Sequence, residues 1–174
     1  IKDGGSIIWA ETVNAIRDLN PNTTIETLIP DFKGETENID RIIKVAPEVV
    51  SHNLETVRRL TKVVRIQAKY DRSLEVLKYL KESGISRTKS GVMLGLGEKR
   101  EEVLETLDDL RRVGVDIVTL GQYLQPSKKH LPVFDFITPD EFKEYEIIGK
   151  EMGFRHVESG PLVRSSYKAH KHIY

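Results

Sequence analysis

The stretch "TKSGVMLGLGE", Thr88 to Glu98, decides the fold of this chain. It has the pattern of a strand that ends in glycines, Gly95 and Gly97, followed by the carboxylate of Glu98. Glycines at a strand end let a ligand approach the backbone closely. The stretch therefore predicts a ligand site beyond the carboxyl end of a strand, where parallel α/β folds bind their ligands.

Two phosphate-binding motifs fail on this stretch. A phosphate loop needs Lys and then Ser or Thr after its last glycine, but Glu98 stands there. A dinucleotide fingerprint needs a third glycine where the chain has Arg100. Glu98 would also repel a phosphate. The stretch favours a flat, uncharged or cationic ligand on the glycine backbone, with Glu98 at its edge.

Strand and helix patterns alternate along the rest of the chain. Amphipathic segments such as "KREEVLETLDDLRRVG" predict helices between the strands. The predicted strands are "TTIETLIPDF", "EVVSHNLET", "RTKSGVMLGLGE", "VDIVTLGQYLQPS" and "FRHVES". Such βαβ units build a parallel sheet. They are fewer than the eight of a complete barrel, so either the sheet is open or further strands precede Ile1.

Composition narrows the class of partner. The 174 residues include 27 basic and 27 acidic ones, a balance that argues against a nucleic-acid partner. No apolar run reaches the ~20 residues of a membrane span, so no membrane partner is expected. The chain has no cysteine and offers no thiolate to zinc or to an iron–sulfur cluster. It starts at Ile1 without methionine, and we expect it to be a piece of a longer protein.

The predicted strand ends collect polar residues and glycines. These positions are Asp3-Gly4-Gly5, Asp31, Ser51 to Glu55, Gly95 to Glu98 and Gly121-Gln122-Tyr123. Singly, each also fits a structural role: a glycine pair forms tight turns, and an asparagine caps helices. Together on one rim they predict a binding site.

The stretch Gly91 to Glu98 resembles the G-x-I-x-G-x-x-E motif of radical S-adenosylmethionine enzymes, with methionine in place of isoleucine. The resemblance implies that this stretch packs beneath the adenine, and that the glycine pair meets the methionine amino group. It implies ribose contacts at the "HNLET" motif and adenine recognition by backbone groups at "GQYL". The implied cofactor-binding residues are Gly4, Gly5, Asn53, Glu55, Gly91, Gly95, Glu98, Gln122, Tyr123 and Leu124.

Four motifs in order, "HNLETV", "TKSGVMLGLGE", "LGQYLQPS" and "GPLVRSSY", resemble the lipoyl synthase family over essentially the whole chain. The resemblance implies that Ser165 gives its oxygen to an auxiliary cluster, with Ser166 as the alternative. Arg164 would orient or guard that loop. The implied fold is a partial (β/α)6-type barrel without its N-terminal strands and cluster-binding segment. Residues 1–126 would be later βα units, and residues 127–174 a C-terminal extension that closes the barrel.

What the resemblance implies chemically is radical insertion of two sulfur atoms at C6 and C8 of an octanoyl-lysine. The cofactors are S-adenosylmethionine and two 4Fe–4S clusters, whose cysteine ligands are absent from this chain. We therefore expect this piece alone to be inactive. The implied partners are octanoylated lipoyl-carrier proteins and an electron donor such as ferredoxin or flavodoxin. The implied location is the bacterial cytoplasm or the mitochondrial matrix.

Other residues and functions stay open. Arg65 fits either a partner of the methionine carboxylate or a solvated surface arginine. His52 is expected to be a structural histidine, and His170 and His172 to be solvated in a basic tail. One alternative function is another (β/α)-barrel enzyme acting on a phosphorylated small molecule. The other is a non-catalytic α/β binding domain with "RSSYKAHKH" as a docking tail.

Overall fold

The computed structural model of this protein describes residues 2–173 and contains one parallel sheet of five strands. The strands are β1 (Glu26–Leu28), β2 (Val49–Ser51), β3 (Arg87–Leu94), β4 (Ile117–Gln122) and β5 (His156–Gly160). The helices are α1 (Ser6–Leu19), α2 (Thr36–Lys44), α3 (Thr61–Val64), α4 (Tyr70–Glu82), α5 (Arg100–Arg112) and α6 (Pro139–Glu151). The strands pair in sequence order, each parallel to the next. The predicted α/β class is confirmed.

Alternation along the strands gives the sheet two different faces. On β3, Val92 and Leu94 join a buried apolar cluster with Leu77 of α4 and Leu107 of α5. A second cluster joins α2, α4 and β2 through Ile39, Ile42, Leu80 and Val50. The strand faces that enter these clusters are therefore covered by helices.

The opposite face of the sheet, here called the inner face, carries glycines and polar side chains beside apolar ones. On β3 it presents Lys89, Gly91 and Met93, which alternate with the residues in the apolar cluster. The strand register places Ser51 of β2 beside Lys89 and Gly121 of β4 beside Met93. A parallel sheet whose helices cover the face opposite the inner face is consistent with a partial barrel.

The C-terminal segment, residues 161–173, contacts the inner face at two positions along the strands. The Val163 carbonyl lies against Gly121, and the His172 side chain lies beside Lys89. The expectation of a solvated tail is therefore wrong for His172, which is completely buried, although His170 is exposed. The basic composition of the tail indicated solvent, but it could not show that an ion pair on the inner face receives this ring.

Residues 2–5 form a turn rather than the end of a strand. Gly4 and Gly5 have φ values of 60° and 90°, in the left-handed region that glycine tolerates. The Asp3 carboxylate accepts a hydrogen bond from Ile7 N at 3.1 Å. This geometry fits the structural alternative for the glycine pair, a tight turn that leads into α1.

Candidate functional site

A cavity of about 490 Å³ lies between the carboxyl ends of the central strands and the C-terminal segment, and it is called the main cavity here because most of the predicted site residues line it. Its lining residues come from strands β1, β3 and β4, from the segments that follow β2 and β4, and from the C-terminal segment: Leu28, Asn53, Glu55, Gly91, Val92, Met93, Thr119, Gly121, Gln122, Leu124, Gln125, Pro126, Val163, Arg164 and Ser165. Seven of the predicted site residues are among them: Asn53, Glu55, Gly91, Gln122, Leu124, Arg164 and Ser165. Residues far apart in sequence thus meet at one site.

Asn53 is fixed at the wall of this cavity by two hydrogen bonds. Its Oδ1 accepts from Gly91 N at 2.9 Å, and its Nδ2 donates to the Glu55 carboxylate at 3.1 Å. A Cβ at Gly91 would lie 3.0 Å from Asn53 Oδ1 and 3.0 Å from Thr119 Oγ1, which explains the glycine there. Asn53 therefore fastens β3 and orients Glu55, rather than capping a helix.

Glu55 is held in a conformation that side chains rarely adopt. Its φ is 67°, and its backbone pairs with β3: Glu55 N donates to Gly91 O, and Met93 N donates to Glu55 O. Such left-handed non-glycine residues cost of order 1 kcal/mol or more and cluster at binding sites. This backbone conformation places the Glu55 carboxylate at the cavity wall, where it can accept hydrogen bonds from hydroxyl groups.

Glu98 closes the turn after β3 instead of facing the cavity. Its carboxylate accepts hydrogen bonds from Gly95 N at 2.6 Å and Leu96 N at 2.9 Å. Gly95 has φ 100°, and a Cβ there would lie 2.2 Å from Gln122 Nε2. Gly95 and Glu98 thus shape the floor beside the cavity without lining it.

The loop after β4 is held by side-chain hydrogen bonds. Gln122 Nε2 donates to Asp135 O, and Gln122 Oε1 accepts from Ile137 N, each at 3.0 Å. Tyr123 is buried, and its hydroxyl donates to Leu131 O at 2.8 Å. The next residue, Leu124, lines the cavity and is 51% exposed. Backbone groups of this loop therefore lie at the cavity rim in a segment held by side-chain hydrogen bonds.

Arg65 lies beside Asn53, not free on the surface. Its Nη1 donates to Asn53 O at 2.8 Å. It lines a second cavity of about 450 Å³ together with Gly4, and a third of about 300 Å³ together with Asn53 and Glu55. Arg65 is thus placed between the glycine turn and the Asn53–Glu55 pair, where a guanidinium could meet a carboxylate.

The two adjacent serines of the C-terminal motif differ in position. Ser165 is half-buried and lines the main cavity, whereas Ser166 is exposed. Arg164 Nη1 donates to its neighbour's carbonyl, Val163 O, at 2.7 Å, and lies 3.5 Å from Gln122 O. Of the two serines, Ser165 is the one at the cavity, and Arg164 contacts backbone carbonyls of the C-terminal segment and of β4.

Two titratable groups near the site have displaced pKa values. Burial lowers the pKa of His52, although its ring bonds with Ile29 O and with Ser73 Oγ satisfy both nitrogens. This is the expected structural histidine. Burial opposes ionisation of Asp31, but the Lys33 amide and the Arg72 guanidinium outweigh it and hold that carboxyl's pKa below its ordinary value.

The sequence motifs did not predict all of the residues that line the main cavity. Thr119 and Met93 line the cavity because they share the inner face with Gly91, a fact available from strand alternation once the register is known. Val163 was also missed, since its contact with Gly121 joins residues 42 positions apart. Within residues 2–173, no group of three or more His, Asp or Glu side chains is arranged to hold a metal ion.

The chain matches the Radical SAM superfamily over residues 5–110. It belongs to that superfamily. Among its relatives are the lipoyl synthase of Christiangramia forsetii, 75% identical over 173 residues, and the mitochondrial lipoyl synthase of Nematostella vectensis, 74% identical over 174 residues. The matches cover 99% and 100% of this chain but 59% and 60% of the relatives. The resemblance to the lipoyl synthases is confirmed, for a chain that spans about 60% of their length.

The fold also matches solved structures of low sequence identity. A crystal structure of methylornithine synthase aligns with a TM-score of 0.67 at 16% identity, covering 86% of this chain and 44% of that protein. At this identity the likeness shows the fold alone. Among the described residues, no helix combines the length and apolar character that crossing a membrane requires.

Proposed function

We propose that this chain is part of a lipoyl synthase, a sulfurtransferase that inserts sulfur at C6 and C8 of a protein-bound octanoyl-lysine. One observation carries the proposal: a single cavity joins the Asn53–Glu55 pair, the glycines of β3 and β4, and Ser165. The high identity to lipoyl synthases over nearly all of this chain supports it. The activity requires the whole protein, so the piece alone is expected to be inactive.

The main cavity and its neighbours fit S-adenosylmethionine. Asn53 and Glu55 offer polar groups to the ribose hydroxyls, and Gly91 and Gly121 leave the inner face bare where a flat ring would lie. Arg65 offers a guanidinium to the methionine carboxylate, beside the turn at Gly4. The donor set matches a neutral base, a diol and an amino-acid group, each of which needs a different partner.

The clusters fit this chain only in part. It has no cysteine, so its residues cannot by themselves hold a 4Fe–4S cluster. We infer that the cysteine ligands belong to a part of the complete protein that corresponds to the relatives' sequence outside this match. Ser165 would add one oxygen ligand. When bound, S-adenosylmethionine and the two clusters supply the radical chemistry and the sulfur. The residues described here bind, orient and shield these groups.

The partners follow from this function. Octanoylated lipoyl-carrier proteins would present the acyl chain at the cavity rim, and ferredoxin or flavodoxin would supply electrons. The relatives include bacterial and mitochondrial proteins. We therefore propose the bacterial cytoplasm or the mitochondrial matrix as the location.

A phosphorylated substrate is disfavoured by the turn after β3. The Glu98 carboxylate already occupies the amides of Gly95 and Leu96, which a phosphate would need. Its negative charge would add repulsion at close range. The alternative function, another barrel enzyme acting on a phosphorylated small molecule, therefore lacks phosphate-binding amides at the end of this strand.

The test compares Ser165→Ala with Ser166→Ala in the complete protein, purified and reconstituted without oxygen. We expect Ser165→Ala to keep formation of 5′-deoxyadenosine and to lose the lipoyl product on an octanoyl-lysine peptide. Ser166→Ala, one residue away on the exposed side, should retain both products. Normal lipoyl product from Ser165→Ala would contradict the ligand assignment. Absence of iron and of both products in the unaltered protein would contradict the function itself.

A further inference from the structure

Lys89 and Glu26 form an ion pair on the inner face below the main cavity, with the lysine side chain 1% exposed and the glutamate side chain 20% exposed. Lys89 Nζ donates to Glu26 Oε1 at 2.8 Å and to Glu26 Oε2 at 3.1 Å, and Lys89 is completely buried. Ser51 Oγ donates to Glu26 Oε1 at 2.7 Å. A buried ammonium is stable only if its charge is paired and its three N–H groups find acceptors.

The third acceptor comes from the C-terminal segment. His172 Nδ1 lies 3.3 Å from Lys89 Nζ, and the His172 ring is completely buried. Because an ammonium can only donate, Nδ1 is the acceptor and the ring is neutral. The Nε2 atom of His172 is buried without a hydrogen-bond partner among the described residues. A polar ring in this position is costly unless its bond to Lys89 compensates.

Ser165 lies between two points at which the C-terminal segment is fixed. At the upper point, the Val163 carbonyl packs against Gly121. At the lower point, His172 contacts Lys89. Between them, the exposed side chain of Lys168 donates from Nζ to the Glu158 carboxylate at 3.2 Å. Without the lower contact, the segment beyond Val163 would be held by surface interactions, which contribute little.

We propose that His172 is a positioning residue: by completing the hydrogen bonds of the buried Lys89 ammonium, which is paired with Glu26, it fixes the C-terminal segment on the inner face and so sets the position of Ser165 at the cavity. The inference rests on the proposed function for its consequence in sulfur insertion. Its structural part, the anchoring of residues 169–173, stands on the contacts alone.

The experiment compares His172→Phe with His170→Phe in the complete protein, purified and reconstituted without oxygen. Both variants make the same change two residues apart, but His170 is exposed. Amide hydrogen exchange in residues 161–173 is the first readout, and the ratio of lipoyl product to 5′-deoxyadenosine is the second. His172→Gln is the conservative variant, because its amide oxygen can accept from Lys89.

We expect His172→Phe to speed exchange in residues 169–173 by roughly tenfold, since one N–H of a buried ammonium loses its acceptor. The product ratio should fall with 5′-deoxyadenosine retained, and His172→Gln should restore both readouts. Unchanged exchange in His172→Phe would overturn the proposal. So would lost protection throughout β3 and β4, which would make His172 a general core residue. If the unaltered protein forms neither product, the proposed function fails while the exchange result still decides the anchoring.

Discussion

Gly121 is the residue at which the C-terminal segment passes closest to β4. A Cβ at this position would lie 2.2 Å from the backbone oxygen of Val163, a distance that backbone atoms cannot relieve without moving the segment. We expect Gly121→Ala to destabilise the protein by about 1–3 kcal/mol, the usual cost of overpacking. Chemical denaturation of the complete protein, followed by circular dichroism, measures this change.

Gly160 provides the matched control for that substitution. It lies on the neighbouring strand β5, and a Cβ there would meet Val163 Cγ2 at 3.5 Å, an ordinary van der Waals contact. Gly160→Ala should therefore change stability by less than about 0.5 kcal/mol. Equal effects of the two alanines would show that the Val163 carbonyl does not pack against Gly121 as described.

Single residues also show what the sequence could and could not predict. The motif resemblance identified Asn53 and Glu55 as a pair, and the structure joins them by a hydrogen bond. Nothing in the sequence indicated that Asn53 also receives the Gly91 amide, because that bond depends on the register between β2 and β3. Glu98 was expected at the ligand's edge, yet two local amides hold its carboxylate in the turn.

Among the elements, α6 begins with a clear sequence signal and offers a test. Thr138 Oγ1 accepts from Glu141 N at 3.2 Å, while the Glu141 carboxylate accepts from Thr138 N at 2.9 Å, so the two form a capping box. We expect Thr138→Ala to cost about 0.5–2 kcal/mol of stability, because the Glu141 amide loses its acceptor and the Glu141 carboxylate loses the hydroxyl that donates to it. Thermal unfolding of the complete protein measures it.

The control for Thr138 lies at the start of α2. Thr36 is exposed and is the first helical residue rather than the cap. The same loss of a hydroxyl there, in Thr36→Ala, should stay within about 0.5 kcal/mol. A Thr138→Ala variant as stable as Thr36→Ala would contradict the capping role.

The presence of each strand was more predictable from the sequence than its first and last residues. All five predicted strands exist, because hydrophobic alternation and flanking turns mark them in the sequence. The first was predicted as ten residues, "TTIETLIPDF", but β1 covers only Glu26–Leu28. Its length depends on pairing with β2, which is equally short. The helix α3 (Thr61–Val64) was not predicted, since four residues carry too little periodicity.

On the scale of the whole molecule, the site depends on contacts between distant segments. Local motifs indicated which strand ends carry polar residues, and a parallel sheet brings those ends together. The path of the C-terminal segment was not predictable, because its composition is that of a solvated tail and its anchor is a buried lysine of β3 paired with a glutamate of β1. Long-range burial of this kind has no periodic signature.

The same anchor predicts how the molecule responds to pH. Burial and the nearby Lys89 ammonium lower the pKa of His172 to about 4, whereas the Glu26 carboxylate of β1 opposes the shift. From β5, His156 lowers and Glu158 raises the same pKa. A released segment would return His172 to an ordinary value near ~6.5. Its neutral form therefore stabilises the anchored state fully above pH ~6.5, and this stabilisation is lost as pH falls towards 4.

We expect exchange in residues 169–173 of the complete protein to rise relative to His172→Gln as pH is lowered from about 7 to 5. Because one proton is bound on release, the rise cannot exceed about tenfold per pH unit. Comparing the two proteins at each pH removes the intrinsic pH dependence of exchange. His170→Phe should keep the full pH response, since its exposed ring does not take part. A ratio that stays constant across this range would mean that His172 is not protonated on release, and the neutral, Lys89-bonded ring would then be the wrong description of the anchor.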